Sequence, residues 1–332
     1  MSAQQLKILH SQTPINKEKI MDINRYYPSY IIKKKHLIGL SDYSTEEIFE
    51  MLYATKALKR KFEAHEETNI LHGKTVALMF ADTSLRTRSA IEIGVHQLGG
   101  SCVDLPYSDR DMRAGENVKA FVNVISRYGV GALVTRGIEK KLLNEFTDIS
   151  AMPIINSHNE DCVPIQALTD LFTIWDKKGE LAGVKLAVIG KATSVVSSFV
   201  IGAVKCGMDV SVACPAGYRL KRENVEAAEQ TGKIYFTDNP VEAVRDADVV
   251  YTCAYSYHTE PKEEEREALA PYRVDGSLMS YSKTNSIFMH PLPASRGLEV
   301  TADVIDGKRS VVYDQGENRL HAVKAIFTML AK

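Results

Sequence analysis

The chain has 332 residues, 45% of them hydrophobic, and a formal net charge of -1. This length is typical of two domains with full cores, and the near-zero charge argues against nucleic acid or an anionic membrane as a partner. The five cysteines include no Cys-x-x-Cys pair, so neither a disulfide framework nor a zinc site is predicted. Without a signal-peptide core or a membrane-length apolar run, we expect a cytoplasmic protein that binds a small, charged metabolite.

The predicted elements follow a polar, tyrosine-rich stretch, residues 1–35. We expect this stretch to be an extension that either drapes over the surface or acts as an arm on another subunit. The first helix is predicted to begin after Ser44, because Ser44 and Glu47 form a capping-box pattern ahead of apolar residues at helical spacing.

Apolar runs of strand length then recur along the chain, separated by helical stretches. They cover residues 76–80, 132–134, 152–155, 185–190, 209–213 and 247–251. This alternation is typical of parallel β-α-β units. We therefore predict an α/β protein with two domains, each a parallel sheet flanked by helices. Pro164 marks the start of a helix that joins the two halves, and a last helix is predicted over 322–331.

The segment 83–88, Thr-Ser-Leu-Arg-Thr-Arg, lies between the strand 76–80 and a helical pattern. The first N–H groups of a helix lack intrahelical partners and lie at the positive end of its dipole. Together with Arg86 and Arg88 they predict a phosphate site. On spacing alone, the alternative is an ordinary helix cap at Ser84 or Thr87 with solvated arginines.

Four segments, in order along the chain, resemble motifs of the aspartate and ornithine carbamoyltransferases. They are Ser-Leu-Arg-Thr-Arg at 84–88, Pro-Ile-Gln-Ala-Leu-Thr-Asp-Leu at 164–171, His-Pro-Leu-Pro-Ala-Ser-Arg-Gly at 290–297 and Asp-Gln-Gly-Glu-Asn-Arg-Leu-His at 314–321. The resemblance begins near residue 37. It implies a carbamoyl phosphate-binding domain over 36–160, a second-substrate domain over 161–312, and a C-terminal helix, 313–332, that packs back on the first domain.

The resemblance also implies a reaction, in which a neutral amine attacks the carbonyl carbon of carbamoyl phosphate without a metal or organic cofactor. Such chemistry needs charge clamped on the phosphate and donors aimed at the developing oxyanion. The catalytic residues that it implies are Arg86, Arg136, Gln166 and His290. Arg136 ends a strand-like run, and residues 290–293 follow another, which is where ligands collect in open α/β sheets.

The resemblance assigns the remaining contacts by motif. Ser84, Leu85 and Thr87 belong to the phosphate loop, and the backbone carbonyl of Leu292 would orient the carbamoyl nitrogen together with Gln166. Arg319 would complete the clamp. Arg113 lies in a polar loop where relatives contribute a group across a subunit interface; the alternative is a solvated charge. The family's trimers carry active sites between subunits, so a homotrimer is implied here.

One position departs from the family at the reaction centre. The second motif begins with a histidine whose ring donates to the carbamoyl carbonyl, and Val163 takes that place. Because valine has no donor, we expect either that His158 or Cys162 substitutes or that the donor molecule or the rate has changed.

The second-substrate pocket also departs from the family pattern. Ser194 ends a Gly-Lys-Ala-Thr-Ser turn, Cys253 replaces an acidic residue that binds the α-amino group, and Tyr257 and His258 replace the ornithine loop. Pro291 is the aspartate-type residue at its position, although 294–300 look ornithine-like. We therefore expect an acceptor amine or amino acid that is neither ornithine nor aspartate.

Two other functions were weighed against carbamoyl transfer. A nucleotide-binding oxidoreductase would need Gly-x-Gly-x-x-Gly after the strand at 185–190, and that pattern is missing. A relative that binds carbamoyl phosphate without turnover is the second alternative, since Val163 removes a donor.

Overall fold

The computed structural model describes residues 32–107, 118–229, 234–256 and 261–331. Within them, nine strands form two parallel sheets, of order β2-β1-β3-β4 and β7-β6-β5-β8-β9. The strands are β1 Thr75–Phe80, β2 Ser101–Asp104, β3 Val130–Arg136, β4 Ile154–His158, β5 Lys185–Ile189, β6 Asp209–Ala213, β7 Ile234–Thr237, β8 Val249–Tyr251 and β9 Ile287–Met289. The predicted α/β class with two helix-flanked parallel sheets is confirmed.

Helices cover both sheets. They are α1 Thr45–Glu63, α2 Leu85–Gln97, α3 Val118–Arg127, α4 Lys140–Ile149, α5 Pro164–Lys178, α6 Ser194–Lys205, α7 Arg222–Glu229, α8 Pro240–Val244, α9 Glu263–Leu269, α10 Gly276–Met279, α11 Ala302–Ile305 and α12 Val312–Leu330. The predicted capping box of α1 is present, since the Ser44 hydroxyl accepts from the Glu47 N–H and the Glu47 carboxylate accepts from the Ser44 N–H. No helix in the described ranges is both long and apolar enough to cross a membrane.

The helix α5 links the two sheets. It begins with Pro164 at its first turn and ends at Gly179, whose φ of +80° is the left-handed conformation that favours glycine at this position. Its residues from Pro164 to Trp175 are all buried. The largest apolar cluster joins α5 to α1, α6, α12 and residues of both sheets. A rigid, buried helix therefore carries the second motif between the halves.

The last helix begins ten residues earlier than the apolar spacing alone predicts. Its first half is rich in polar residues, including Asp314, Asn318 and Arg319, which interrupt the apolar spacing. The helix contacts the first half through Lys59, which donates to Asn318 Oδ1 (2.9 Å), and through Lys324, which donates to Gln97 Oε1 (3.0 Å). The domain divisions at 35, 160 and 312 stay a prediction.

Candidate active site

The carboxyl ends of three parallel strands form one edge of the candidate site. The register aligns Phe80 of β1 with Arg136 of β3, and Arg136 with His158 of β4. A cavity of about 360 Å³ opens at this edge, a volume within the range of small-molecule sites. Its wall consists of Thr83, Ser84, Leu85, Arg86, Thr87, Arg136, Ser157, His158, Val163, Ile165, Gln166, Val195, Pro291, Leu292, Pro293 and Arg319.

One end of the cavity is the N-terminus of α2. Ser84 occupies the N-cap position, and its side chain makes no capping hydrogen bond to that helix. The first turn carries no acidic residue, and Arg86 and Thr87 both line the cavity. Open backbone donors, a positive helix end and a guanidinium therefore meet here, which is the arrangement that binds a phosphate.

Arg88 does not join this anion site. Its guanidinium pairs with Asp104 (2.7 Å) and Glu92 (3.4 Å) and lies over the Phe80 ring, and Arg88 is not part of the cavity wall. The sequence-based expectation that both arginines add charge to the site is therefore wrong for Arg88. The helical period explains the difference, because residues two apart lie on different faces of a helix.

Arg136 and His158 share one carboxylate. Arg136 Nε lies 2.5 Å from Asp82 Oδ1, an ion-pair distance, and His158 Nδ1 lies 3.9 Å from Asp82 Oδ2. All three side chains are only partly exposed. The Asp82 carboxylate thus fixes the Arg136 side chain at the end of β3, and it also lies close to the His158 ring.

A buried polar network forms the opposite wall. Gln166 donates to Asp170 Oδ1 (2.6 Å) and accepts from Arg319, which also donates to the Pro291 carbonyl (3.3 Å). Gln315 donates to the same Asp170 oxygen (2.6 Å), and Tyr251 donates to Oδ2 (2.9 Å). The fully buried Asp170 carboxylate therefore fixes two side chains from α5 and α12.

The loop after β9 closes the cavity. The His290 side chain is fully buried, and its Nδ1 accepts from the Leu292 N–H (2.9 Å). Leu292 has a φ of +49°, which is unfavourable for a leucine and needs support from its surroundings. The second ring nitrogen, Nε2, lies 3.3 Å from Glu299 Oε1, and burial lowers the pKa of His290 while Glu299 acts in the opposite direction. The buried His290 ring therefore stabilises the loop that contains Leu292 through this hydrogen bond.

Sequence profiles of two domains match almost the whole described chain. The aspartate/ornithine carbamoyltransferase carbamoyl-P binding domain matches residues 35–176, and the Asp/Orn binding domain of the same enzymes matches residues 182–330. The chain belongs to the aspartate/ornithine carbamoyltransferase family. It is a transferase of one-carbon groups, as the motifs predict.

Individual relatives give the same result over nearly full length. An ornithine carbamoyltransferase of Bacillus subtilis is 42% identical, covering 88% of this chain and 92% of its own. An ornithine carbamoyltransferase of Pyrococcus abyssi is 39% identical, and the alignment covers 90% of this chain and 96% of the relative. The structure of the ornithine carbamoyltransferase from Pyrococcus furiosus superimposes with a TM-score of 0.86 at 38% identity, covering 89% of this chain and 96% of the other.

These relatives correct the expectation about the acceptor. We expected an amine that is neither ornithine nor aspartate, and relatives named ornithine carbamoyltransferase at about 40% identity contradict it. The binding-only alternative falls with it. The expectation about the acceptor relied partly on Cys253. This side chain is buried, its Sγ lies 3.4 Å from the Thr193 hydroxyl, and it is not part of the cavity wall. Its substitution for an acidic residue therefore does not decide the acceptor.

Ten of the site residues that the sequence predicts line the carbamoyltransferase cavity. They are Ser84, Leu85, Arg86, Thr87, Arg136, Val163, Gln166, Pro291, Leu292 and Arg319. Three others are described but do not reach the wall: His290 and Cys253 are buried, and Ser194 begins α6 beside Val195, which does line the cavity. Arg113, Tyr257 and His258 lie outside the described residues.

Sequence reasoning left out several wall residues of the carbamoyltransferase. Ser157 and Val195 were not predicted, Thr83, Ile165 and Pro293 belong to predicted segments without being named as site residues, and His158 was considered only as a substitute donor. Ser157 and His158 end β4, so the rule that ligands collect at strand ends could have found them. Within the described residues, no group of three or more His, Cys, Asp or Glu side chains could hold a metal ion.

Burial raises the pKa of Asp170 to about 7, although its three donors and Arg319 act in the opposite direction. In the unfolded chain this carboxyl titrates near its ordinary pKa of 3.8. Between these values the folded state binds the proton more tightly, so the free energy of unfolding falls as the pH rises from about 4 to about 7. In Asp170→Asn this fall is expected to be shallower. Urea unfolding across that pH range measures how the free energy of unfolding depends on pH in the parent and in Asp170→Asn. Equal slopes in the two proteins would contradict the raised pKa of Asp170.

Proposed function

We propose that this carbamoyltransferase transfers the carbamoyl group of carbamoyl phosphate to an amine of ornithine. The observation that carries the proposal is the identity of 39–42% to ornithine carbamoyltransferases over about nine-tenths of the chain. The matched Asp/Orn binding domain supports an amino acid as the second substrate. In the reaction the amine nitrogen bonds to the carbonyl carbon, the carbon–oxygen bond to phosphate breaks, and the amine proton passes to the leaving phosphate, so a ureido compound and inorganic phosphate are formed.

At the phosphate end we assign binding to Ser84, Arg86 and Thr87, with Leu85 contributing backbone. The positive end of α2 and the absence of acidic residues in its first turn support this assignment. Because the phosphate gains charge as it leaves, Arg86 would bind the transition state more tightly than the substrate.

At the carbamoyl end we assign Arg136 to the bridge between phosphate and carbonyl oxygen. Gln166 Oε1 accepts from Arg319 and keeps a second lone pair, so it can also accept from the carbamoyl N–H₂ group. Leu292 lines the same cavity, and its backbone carbonyl would accept the other N–H. His290 would act as a positioning residue, because its hydrogen bond to the Leu292 N–H holds that loop.

The acceptor is tested by a comparison of amines. Purified protein, carbamoyl phosphate and ornithine are expected to release phosphate and form the ureido product in equal amounts. Aspartate, N-acetylornithine and putrescine serve as alternative acceptors, and each is expected to react more slowly. Product formation from another amine but not from ornithine would contradict the acceptor. No product from any amine would contradict the function.

We propose further that the active protein is a homotrimer with its sites between subunits, as the family resemblance implies, and that it is cytoplasmic. An exposed apolar side chain at the phosphate end supports a partner there, since Leu85, the first residue of α2, is 83% exposed. Leu85 also lines the cavity. Light scattering under assay conditions measures the assembly, and a fully active monomer would contradict it.

A further inference from the structure

Val163 leaves the carbonyl end of the cavity without the donor that the family motif places there. Its side chain is buried in the wall, and its backbone N–H donates to Ser198 Oγ (2.7 Å). Neither group is therefore available to an oxyanion. Yet attack on the carbonyl carbon develops negative charge on its oxygen, and catalysis depends on donors aimed at that atom.

A closed turn brings another side chain to the same region. Asn159 Oδ1 accepts from the backbone N–H groups of Asp161 (3.0 Å) and Cys162 (2.7 Å), and the Asn159 N–H donates to the Cys162 carbonyl (3.0 Å). The Asn156 side chain donates to the same carbonyl (3.2 Å). The turn therefore folds the chain back on itself, and the residues on either side of it, at 158 and 163, both line the cavity.

His158 lies on the other side of this turn from Val163, and both line the cavity. It ends β4 directly next to Arg136 in the parallel register, and Arg136 also lines the cavity. Asp82 contacts the pair from behind, with Oδ1 2.5 Å from Arg136 Nε and Oδ2 3.9 Å from His158 Nδ1. At 3.9 Å this is a charge contact and not a hydrogen bond. A neutral imidazole carries one N–H, so a ring with Nδ1 facing a carboxylate donates from its other nitrogen only as the imidazolium, which the negative charge of that carboxylate stabilises.

Cys162, the other neighbour that could substitute, has a different environment. Its thiol lies against Gly39, where a Cβ on the glycine would come within 3.2 Å of Sγ, and Cys162 is not part of the cavity wall. Burial raises the pKa of Cys162 to about 11. A neutral thiol is a weak donor, so both position and chemistry exclude Cys162 from this role.

We propose that His158, as an imidazolium, donates a ring N–H to the carbonyl oxyanion, with Asp82 as its positioning residue. The inference rests on the proposed carbamoyl transfer and assigns a catalytic group within it. The proposed donor lies five positions before the motif position that Val163 occupies, on the other side of the turn, and both residues line the cavity. The N–H donates a hydrogen bond only, and no proton or electron balance changes.

The test compares His158→Ala and His158→Gln with the parent enzyme. His158→Ala is expected to lower kcat about 100- to 1000-fold, the usual cost of one oxyanion donor. Inhibition by inorganic phosphate is expected to stay unchanged, because that anion binds at residues 84–87. His158→Gln keeps an N–H donor, so it should retain more of kcat than alanine.

A compensating substitution separates this role from a structural one. In the His158→Ala background, Val163→His restores the family's donor and is expected to raise kcat at least about tenfold, although the same change in the parent has little effect. Cys162→Ala is the matched control and should keep the parent kcat.

The outcomes are distinguishable from those of the acceptor test. Parent-like kcat in His158→Ala, or a large loss in Cys162→Ala, overturns the role of His158 and leaves carbamoyl transfer intact. Loss of phosphate binding together with kcat in both His158 variants, without rescue by Val163→His, shows a structural role and also overturns the proposal. A parent that forms no product from ornithine or any other amine contradicts both proposals.

Discussion

Arg86→Ala is expected to lower kcat/KM for carbamoyl phosphate about 100- to 1000-fold. Arg86 is the guanidinium of the α2 N-terminus that lines the cavity, whereas the helix end alone supplies only partial charges. The phosphate should still bind weakly through the backbone N–H groups. Steady-state kinetics with varied carbamoyl phosphate, together with phosphate inhibition constants, measures the loss in both the substrate and the product complex.

Arg88→Ala is the matched control for this experiment. It removes the same side chain two residues later in the same helix, where the guanidinium pairs with Asp104 and Glu92 away from the cavity. Exposed ion pairs contribute about 1 kcal/mol or less, so stability should change little and kcat/KM should stay near the parent value. Equal losses in the two variants would contradict the assignment of the phosphate site to Arg86.

Arg319→Met is expected to lower both activity and stability. The buried guanidinium donates to Gln166 Oε1 and to the Pro291 carbonyl, and its charge acts on Asp170. Methionine retains most of the apolar stem but leaves those buried acceptors unsatisfied, at a cost of about 2 kcal/mol in the free energy of unfolding. Gln166 keeps its hydrogen bond to Asp170 but loses the one from Arg319, and the cavity loses a guanidinium from its wall, so kcat/KM should fall about 100-fold.

Arg309→Met controls for the loss of stability alone. Arg309 also donates to a backbone carbonyl, that of Met279 (3.1 Å), and to the Ser286 hydroxyl (3.2 Å), but it lies outside the cavity wall. Its replacement should destabilise the fold without a comparable loss of kcat/KM. Urea unfolding and kinetics on both variants separate the effects. A parent-like kcat/KM in Arg319→Met would show that the buried network does not position Gln166.

The sequence predicted the buried parts of the fold better than its edges. Long apolar runs such as 76–80 and 185–189 became central strands because their side chains are buried on both faces. The strands at 101–104 and 234–237 were missed, because each lies at the end of its sheet and most of its residues are partly or fully exposed. An edge strand needs less apolar surface, so its pattern resembles that of a loop.

For the site, motifs located the cavity but not the direction of each side chain. Arg86 and Arg88 belong to the same motif, and the sequence does not distinguish their roles. They lie on different faces of α2, so the Arg86 side chain lines the cavity and the Arg88 guanidinium pairs with Asp104. His290 resembles a catalytic histidine, yet its ring is buried behind Leu292. His158 belongs to none of the four motifs and still lines the cavity, because parallel strand pairing places it beside Arg136.

The position of α12 has a consequence for how the enzyme loses activity. This helix is the last described element, and it supplies Arg319 to the cavity and Gln315 to the Asp170 network. The phosphate loop, by contrast, is complete once the strand and helix around residue 84 have formed. Local unfolding of α12 would therefore remove the groups that orient the carbamoyl group and leave the anion site in place.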